Sequence, residues 1–135
     1  MKLKLIVSLL MLTACFTAFS QEKQSMAASE KGLFKISILY PFAEGKTFNM
    51  EYYETKHMPM VAAFLGTNLV KYSIEKGIAN GMPNQPLPYM AIGIFYVKSI
   101  SEYQAAIGPH IADIRADFPN YTNISPVVFV SEVVK

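Results

Sequence analysis

The sequence has little cysteine and almost no excess of charge, and each shortage excludes a class of function. Cys15 is the single cysteine in 135 residues, so the chain has neither a disulfide framework nor a cysteine-based metal site. The net charge is +2, which Lys2 and Lys4 at the N-terminus account for. Because no basic cluster occurs elsewhere, nucleic acid is not expected as a partner. The sequence also has no glycine-rich phosphate loop, nucleophile elbow or HExxH zinc motif.

Long apolar runs are absent as well, apart from a short one at the N-terminus. The run over residues 5–14 is broken only by Ser8 and Thr13, and it follows two lysines. It is shorter than the roughly 20 residues that cross a bilayer, so no transmembrane span is expected. A charged start followed by a short apolar run indicates a secretory signal.

The signal can end in one of two ways. Ala18-Phe19-Ser20 has the small-x-small form of a signal-peptidase site, which predicts a signal peptide over residues 1–20 and an exported, periplasmic or secreted protein. Leu12-Thr13-Ala14-Cys15 resembles a bacterial lipobox, in which Cys15 would carry a lipid anchor. Cleavage after Ser20 is favoured, because residues 16–19 stay apolar where lipoproteins usually turn polar.

The remaining chain divides into a polar, flexible leader over residues 21–32 and one α+β domain over residues 33–135. Alternation and helical spacing predict four strands and two helices. The expected elements are a strand over 34–40, a helix from Asn49 to Gly66, strands over 70–75 and 89–97, a second helix over 99–118 with an interruption at Gly108-Pro109, and a strand over 127–134. The order βαββαβ is that of a ferredoxin-like sandwich, an antiparallel four-stranded sheet with both helices on one face.

The third strand predicts a second copy of the protein. Both of its faces are apolar, with Met90 and Ile92 on one side and Ala91 and Phe95 on the other. Two helices cover only one face of the sheet, and a chain of this length has nothing left to cover the other. A homodimer through the sheet faces is therefore expected.

His57 is the residue most suited to catalysis. It lies four residues after Tyr53 on the apolar stripe of the first helix, so its side chain is expected between helix and sheet. Pro59 cannot donate to the carbonyl of Thr55, so the helix should be distorted there. Such a histidine can act as general acid or base, with Tyr53 orienting it or the substrate. The alternative is a core histidine that bonds the free carbonyl or Tyr53.

Other polar and aromatic residues are candidates for substrate binding. Tyr40, Tyr52 and Tyr96 fall where they could line a cavity for a small apolar or aromatic molecule, or belong to a plain core. His110 is a further candidate, although Asp113 three residues later favours an exposed helix pair.

Metal binding and turn formation are the two remaining interpretations. The two histidines have carboxylates nearby in sequence, but nothing in their spacing brings them together, so no metal site is expected. Asp117, Asn120 and Thr122 surround Pro119, a pattern typical of turns.

Three stretches resemble the EthD family: Ile38 to Pro41, Phe48 to Val61 and Ala116 to Pro126. The tyrosine pair followed by His-x-Pro is the most specific part. The resemblance implies a dimeric α+β barrel in which two ferredoxin-like sheets pack face to face around a cavity. It also implies that Tyr53, His57 and Asp117 occupy the characteristic positions of the family, and Asp117 is therefore a further candidate for substrate binding.

The resemblance implies an oxidoreductase or related small-molecule enzyme without an agreed mechanism or a known cofactor. Related barrels include cofactor-free monooxygenases, lactone isomerases, polyketide cyclases and haem-binding enzymes. The leading hypothesis is an enzyme that acts on a small apolar or aromatic compound within each subunit, with His57 as general acid/base. The alternatives are a non-catalytic carrier of a small hydrophobic ligand and a haem-binding barrel with His57 or His110 as axial ligand.

Overall fold

A computed structural model describes residues 29–135 as a four-stranded antiparallel sheet in the order β2-β3-β1-β4, with helices packed against one face. The chain is α+β and ferredoxin-like, as predicted. The elements are β1 (Phe34–Pro41), α1 (Met50–Tyr52), a π-helical turn (Tyr53–His57), α2 (Met58–Leu65), β2 (Leu69–Lys76), β3 (Tyr89–Val97), α3 (Ile100–Ile107), α4 (Ile111–Asp117) and β4 (Val127–Glu132), with short 3-10 turns at Gly66–Asn68, Gly108–His110 and Phe118–Asn120.

The predicted signal peptide and most of the predicted leader lie outside the described residues. Residues 29–32, which the sequence assigned to the leader, form a turn that is attached to the end of β4. The Gly32 amide donates to the Val133 carbonyl at 2.8 Å, and the Val133 amide donates to the Leu33 carbonyl at 2.8 Å. Across residues 29–135, no helix has the length and apolar character needed to cross a bilayer.

The first helical region begins and changes pitch where the sequence predicts. The Asn49 side chain accepts a hydrogen bond from the Tyr52 amide and caps α1. Over Tyr53–His57 the backbone widens into a π turn, and the Met58 amide donates to the Tyr53 carbonyl. Pro59, which has no amide hydrogen, follows directly in the first turn of α2. Turns of this kind inside helices are frequent at functional sites.

The second helical region is interrupted as predicted from Gly108-Pro109. Ser99 caps α3 by accepting from the Glu102 amide, and a 3-10 turn at Gly108–His110 separates α3 from α4. Tyr103, Ile107 and Ile114 face the sheet along this region.

The two faces of the sheet have different surroundings. Ile36 and Tyr40 of β1 are buried beneath the helices, and in β3 so are Ala91, Phe95 and Val97. On the opposite face, Leu39 pairs with Ile92 on one side and with Val127 on the other. Val127 and Phe129 of β4 are 55% and 58% exposed on that face. No element of residues 29–135 covers it.

Candidate functional site

The site is centred on His57, which ends the π turn and is 4% exposed. Its Nδ1 atom lies 2.8 Å from Oδ2 of Asp117, and its Nε2 atom lies 3.2 Å from the hydroxyl of Tyr121. Both ring nitrogens are therefore bonded to side chains, one from the last residue of α4 and one from the segment that follows it. The free carbonyl of Thr55, the partner considered from the sequence, is not among the partners of the imidazole.

Asp117 is held from behind by two further donors. The Tyr52 hydroxyl donates to Oδ1 at 2.7 Å, and the Asn120 amide donates to the same oxygen at 2.8 Å. Asn120 also donates to the Tyr52 hydroxyl at 3.2 Å. Together with the hydrogen bond from His57, the carboxylate of Asp117 accepts three hydrogen bonds. These bonds fix the position of the carboxylate, which in turn orients the imidazole.

Tyrosines continue the network on the other side of His57. The hydroxyls of Tyr121 and Tyr40 lie 2.8 Å apart, and both side chains are buried. The Tyr53 ring stacks on the imidazole, with centroids 5.5 Å apart and planes 16° from parallel. Tyr53 reaches across to Gly93 on β3, where an added Cβ would overlap its hydroxyl.

The pKa shifts assign the protons in this network. Burial lowers the pKa of His57 more than its contact with Asp117 raises it, so the imidazole is neutral at neutral pH. Burial pushes the pKa of Asp117 upward, but the hydrogen bonds from Asn120, His57 and Tyr52 outweigh it and hold the pKa below its usual range. A charged carboxylate requires a donor, so Nδ1 carries the imidazole proton and Nε2 is the acceptor.

The phenols then take one consistent set of directions. Tyr121 donates to Nε2 of His57, and Tyr40 donates to the oxygen of Tyr121. Burial raises the pKa of Tyr40, Tyr53 and Tyr121 well above the ordinary value, so all three phenols stay protonated. The chain Tyr40–Tyr121–His57–Asp117 therefore has a hydroxyl at one end and a carboxylate at the other.

A cavity of about 500 Å³ lies between the sheet and the helices, and His57 forms part of its wall. The wall is mostly apolar, and among residues 29–135 Arg115 is its only charged side chain. The lining residues are Ile38, Tyr40, Tyr53, His57, Met58, Val61, Phe95, Tyr103, Ile107, Ile111, Ile114, Arg115, Phe118, Ser125, Pro126 and Val128. An outer groove of about 640 Å³ adjoins this cavity and shares Arg115, Phe118 and Ser125 with it.

The structure brings together five of the seven residues singled out from the sequence. Tyr40, Tyr53 and His57 line the cavity, whereas Tyr52 and Asp117 lie behind His57 and hold it. Asp117 thus contacts the imidazole and Tyr52 contacts Asp117, and neither lines the cavity.

Tyr96 and His110 lie elsewhere. Tyr96 is on the opposite face of the sheet, where Lys71 Nζ lies 4.4 Å from its ring centroid. It points away from the cavity because it alternates with Phe95, which lines it. His110 stacks on Phe64 with ring centroids 3.8 Å apart. Its Nδ1 atom is 3.9 Å from Oδ2 of Asp113, the pairing that the three-residue spacing of His110 and Asp113 favours. Within residues 29–135, no three histidine, cysteine or acidic side chains cluster as metal ligands.

Sequence reasoning missed Tyr121, Asn120 and Arg115. Asn120 was interpreted as a turn residue, yet its side chain bonds Asp117 and Tyr52. Tyr121 stands four residues after Asp117, and the 3-10 turn at Phe118–Asn120 brings it back to His57. The one available signal for Arg115 is that it is the only arginine in the chain.

The EthD domain model matches residues 46–125 of the chain. This segment begins shortly before α1 and ends just before β4, so it contains His57, Asp117 and Tyr121. No curated protein matches the sequence significantly.

Among solved structures, the chain is similar to an EthD-like protein from Ralstonia eutropha, with 40% identity and a TM-score of 0.73 over 78% of this chain and 95% of that one. It is also similar to an EthD family protein from Bacillus halodurans, with 15% identity and a TM-score of 0.51 over 75% of this chain and 98% of that one. A hypothetical protein from Arabidopsis thaliana shares 17% identity and a TM-score of 0.50 over 78% and 91% of the two chains. The last two similarities concern the fold alone.

Proposed function

Because this chain belongs to the EthD family, we propose that it is an enzyme that moves a proton on or off a small apolar or aromatic molecule in the cavity of each subunit. One observation carries the proposal: a buried, neutral His57 lines an apolar cavity while Asp117 holds its other nitrogen at 2.8 Å. A positioned imidazole beside a carboxylate is the arrangement that general acid–base catalysis requires.

Asp117 supports the protonated form of His57. When the imidazole takes a proton at Nε2, the positive charge forms 2.8 Å from a carboxylate that is already ionised. The carboxylate stays charged through the step because three donors stabilise its anionic form. Stacking of Tyr53 on the ring limits rotation of the imidazole, so the side chain is held in one orientation throughout.

Tyr121 and Tyr40 provide the route between Nε2 and the bound molecule. A substrate proton passes to the Tyr40 oxygen as the Tyr40 proton passes to Tyr121 and the Tyr121 proton passes to Nε2. Each transfer forms one bond to hydrogen and breaks another, and the products are a deprotonated substrate and an imidazolium. The raised pKa values of the phenols suit this role, because neither oxygen holds a negative charge between transfers. Any oxidoreductase reaction in this cavity would use the same residues for its proton transfers.

Solvent exchange of a weakly acidic C–H tests the proposal. Small aromatic ketones and 1,3-dicarbonyl compounds are incubated with the protein in D₂O, and loss of the C–H signal is followed by proton NMR. We expect exchange with the wild type, loss of it in His57→Gln and no change in His110→Gln, which alters the histidine outside the cavity. Unchanged exchange in His57→Gln would remove His57 from the mechanism. Saturable binding without exchange would favour the non-catalytic carrier.

The assembly and the location that we propose follow from two other features. The uncovered sheet face, with Val127 and Phe129 more than half exposed, supports a homodimer through this face. The signal over residues 1–20 supports action outside the cytoplasm. Accurate mass of the protein purified from its host tests the location, since cleavage after Ser20 leaves Gln21 as the first residue.

A further inference from the structure

We propose that the molecule bound in this cavity is an apolar or aromatic acid, and that Arg115 binds its carboxylate. The inference rests on the proposed function, in which the cavity containing His57 is the active site. Arg115 projects from α4 and lines both the cavity and the outer groove. It therefore stands where a ligand entering from the groove would present its polar end.

Arg115 has no partner among residues 29–135. No hydrogen bond or ion pair connects its guanidinium to another residue of this part of the chain. Of the two acidic residues nearest in sequence, Asp117 accepts hydrogen bonds from Tyr52, Asn120 and His57. Asp113 is two residues from Arg115 on α4, a spacing at which helical side chains do not face each other. The charge of Arg115 is thus available to a ligand.

The walls on either side of Arg115 have no acidic side chain among residues 29–135. No aspartate or glutamate of this part of the chain lines the cavity or the groove, and the carboxylate of Asp117, behind His57, already accepts three hydrogen bonds. Ser125, which has a hydroxyl, lines both spaces as well. A planar guanidinium binds a carboxylate through two parallel hydrogen bonds, and one arginine balances one such charge.

The rest of the wall defines the body of the ligand. Val61, Phe95 and Ile107 are buried apolar side chains that surround the interior of the cavity. An anion without an apolar part would leave this surface empty, and an apolar molecule without a charge would leave Arg115 unpaired. A carboxylic acid with a hydrocarbon or aromatic body satisfies both, and it presents its remaining atoms to His57 and Tyr40.

A pair of molecules with the same shape tests this inference. Naphthalene-2-carboxylate and naphthalene-2-carboxamide differ in charge but hardly in size, and their binding to the full-length protein is measured by isothermal titration calorimetry at neutral pH. We expect the carboxylate to bind about tenfold to a hundredfold more tightly than the amide. The preference should disappear in Arg115→Gln and survive in part in Arg115→Lys. Lys98→Gln, which removes an exposed charge bonded to the Thr67 carbonyl, should leave it unchanged.

Each outcome has a separate meaning for the two proposals. If the wild type binds the carboxylate and the carboxamide equally well, and Arg115→Gln does the same, the anion site is overturned and the proposed enzyme is unaffected. A carboxylate preference that persists in His57→Gln, together with proton exchange that also persists, would support the anion site and refute the role of His57. Failure of both compounds to bind at millimolar concentration would overturn the anion site and the cavity as a binding site together.

Discussion

Nδ1 of His57 lies 2.8 Å from Oδ2 of Asp117, although the two residues are 60 positions apart in the chain. The contact joins the end of the π turn to the end of α4, so it depends on the packing of both helical regions against the sheet. Because Asp117 is ionised and His57 is neutral, the bond fixes the tautomer with its proton on Nδ1. The reactive nitrogen of the site is therefore Nε2.

Replacement of Asp117 by asparagine should remove this control. The asparagine amide can donate to Nδ1, which moves the imidazole proton to Nε2 and leaves no acceptor for Tyr121. We expect proton exchange in the cavity to slow by about 100-fold or more, the range that general acid–base catalysis contributes. The tautomer is measured from the ring nitrogen shifts of ¹⁵N-labelled histidine. Asp113→Asn is the control, and a full exchange rate in Asp117→Asn would contradict the proposed role.

Substitution of Gly93 by alanine should disturb the site from the sheet side. A Cβ at this position would overlap the Tyr53 hydroxyl and lie 3.1 Å from Sδ of Met58. We expect a loss of about 1–3 kcal/mol in the free energy of unfolding, the usual cost of overpacking a core. Removing the hydroxyl with Tyr53→Phe should recover most of this loss in the double variant. Urea denaturation of the four proteins measures the coupling, and additive losses would show that the Tyr53 hydroxyl is not the obstacle.

The fold could be predicted from local patterns because each element contains its own signals. Asn49 and Ser99 are caps, Gly108-Pro109 interrupts a helix, and apolar alternation marks the strands. Tyr53 and His57 could be placed together for the same reason, since residues four apart share a helix face. These inferences need only neighbouring residues, and the structure confirms each of these elements.

The rest of the site depends on contacts between distant segments. Tyr121 is directed to His57 by a 3-10 turn and the bridge between Phe48 and Thr122, and neither is visible as a periodic pattern. For Tyr96 the sequence supplied only part of the answer. Alternation places Tyr96 and Phe95 on opposite faces of the sheet, but it does not say which face the helices cover. That becomes known from the strand register, in which Phe95 pairs with the buried Ile36 and Tyr96 pairs with Lys35.

Stability should fall in mild acid because of His57. Its pKa in the folded protein is below the ordinary value of 6.5, so the unfolded chain binds the proton more readily. The free energy of unfolding therefore has its full value, as far as His57 is concerned, above about pH 6.5, and it decreases progressively as the pH falls below that value. Asp117, whose pKa is lowered from 3.8, adds a loss of the same sign in stronger acid.

Urea denaturation between pH 8 and pH 5 measures this effect. The free energy of unfolding of the wild type should decline from pH 7 to pH 5, and the His57→Gln variant should show a smaller decline over the same interval. His110→Gln, which alters the histidine outside the cavity, is measured alongside as the matched variant. A slope that is identical in the wild type and His57→Gln would show that the buried imidazole does not govern acid stability.

Phe129 provides the test of the homodimer that we propose. It is 58% exposed on the uncovered face of the sheet, and it lies opposite Ser37 in the β1–β4 register. An aspartate there would place a charge in the apolar contact between two sheets, where it has no partner and loses its water. We expect Phe129→Asp to be monomeric at micromolar concentration, whereas the wild type elutes as a dimer in size-exclusion chromatography with light scattering. Ile78→Asp makes the same change at a 91% exposed loop position and should remain dimeric. A monomeric wild type would refute the dimer, and a dimeric Phe129→Asp would assign the interface to another surface.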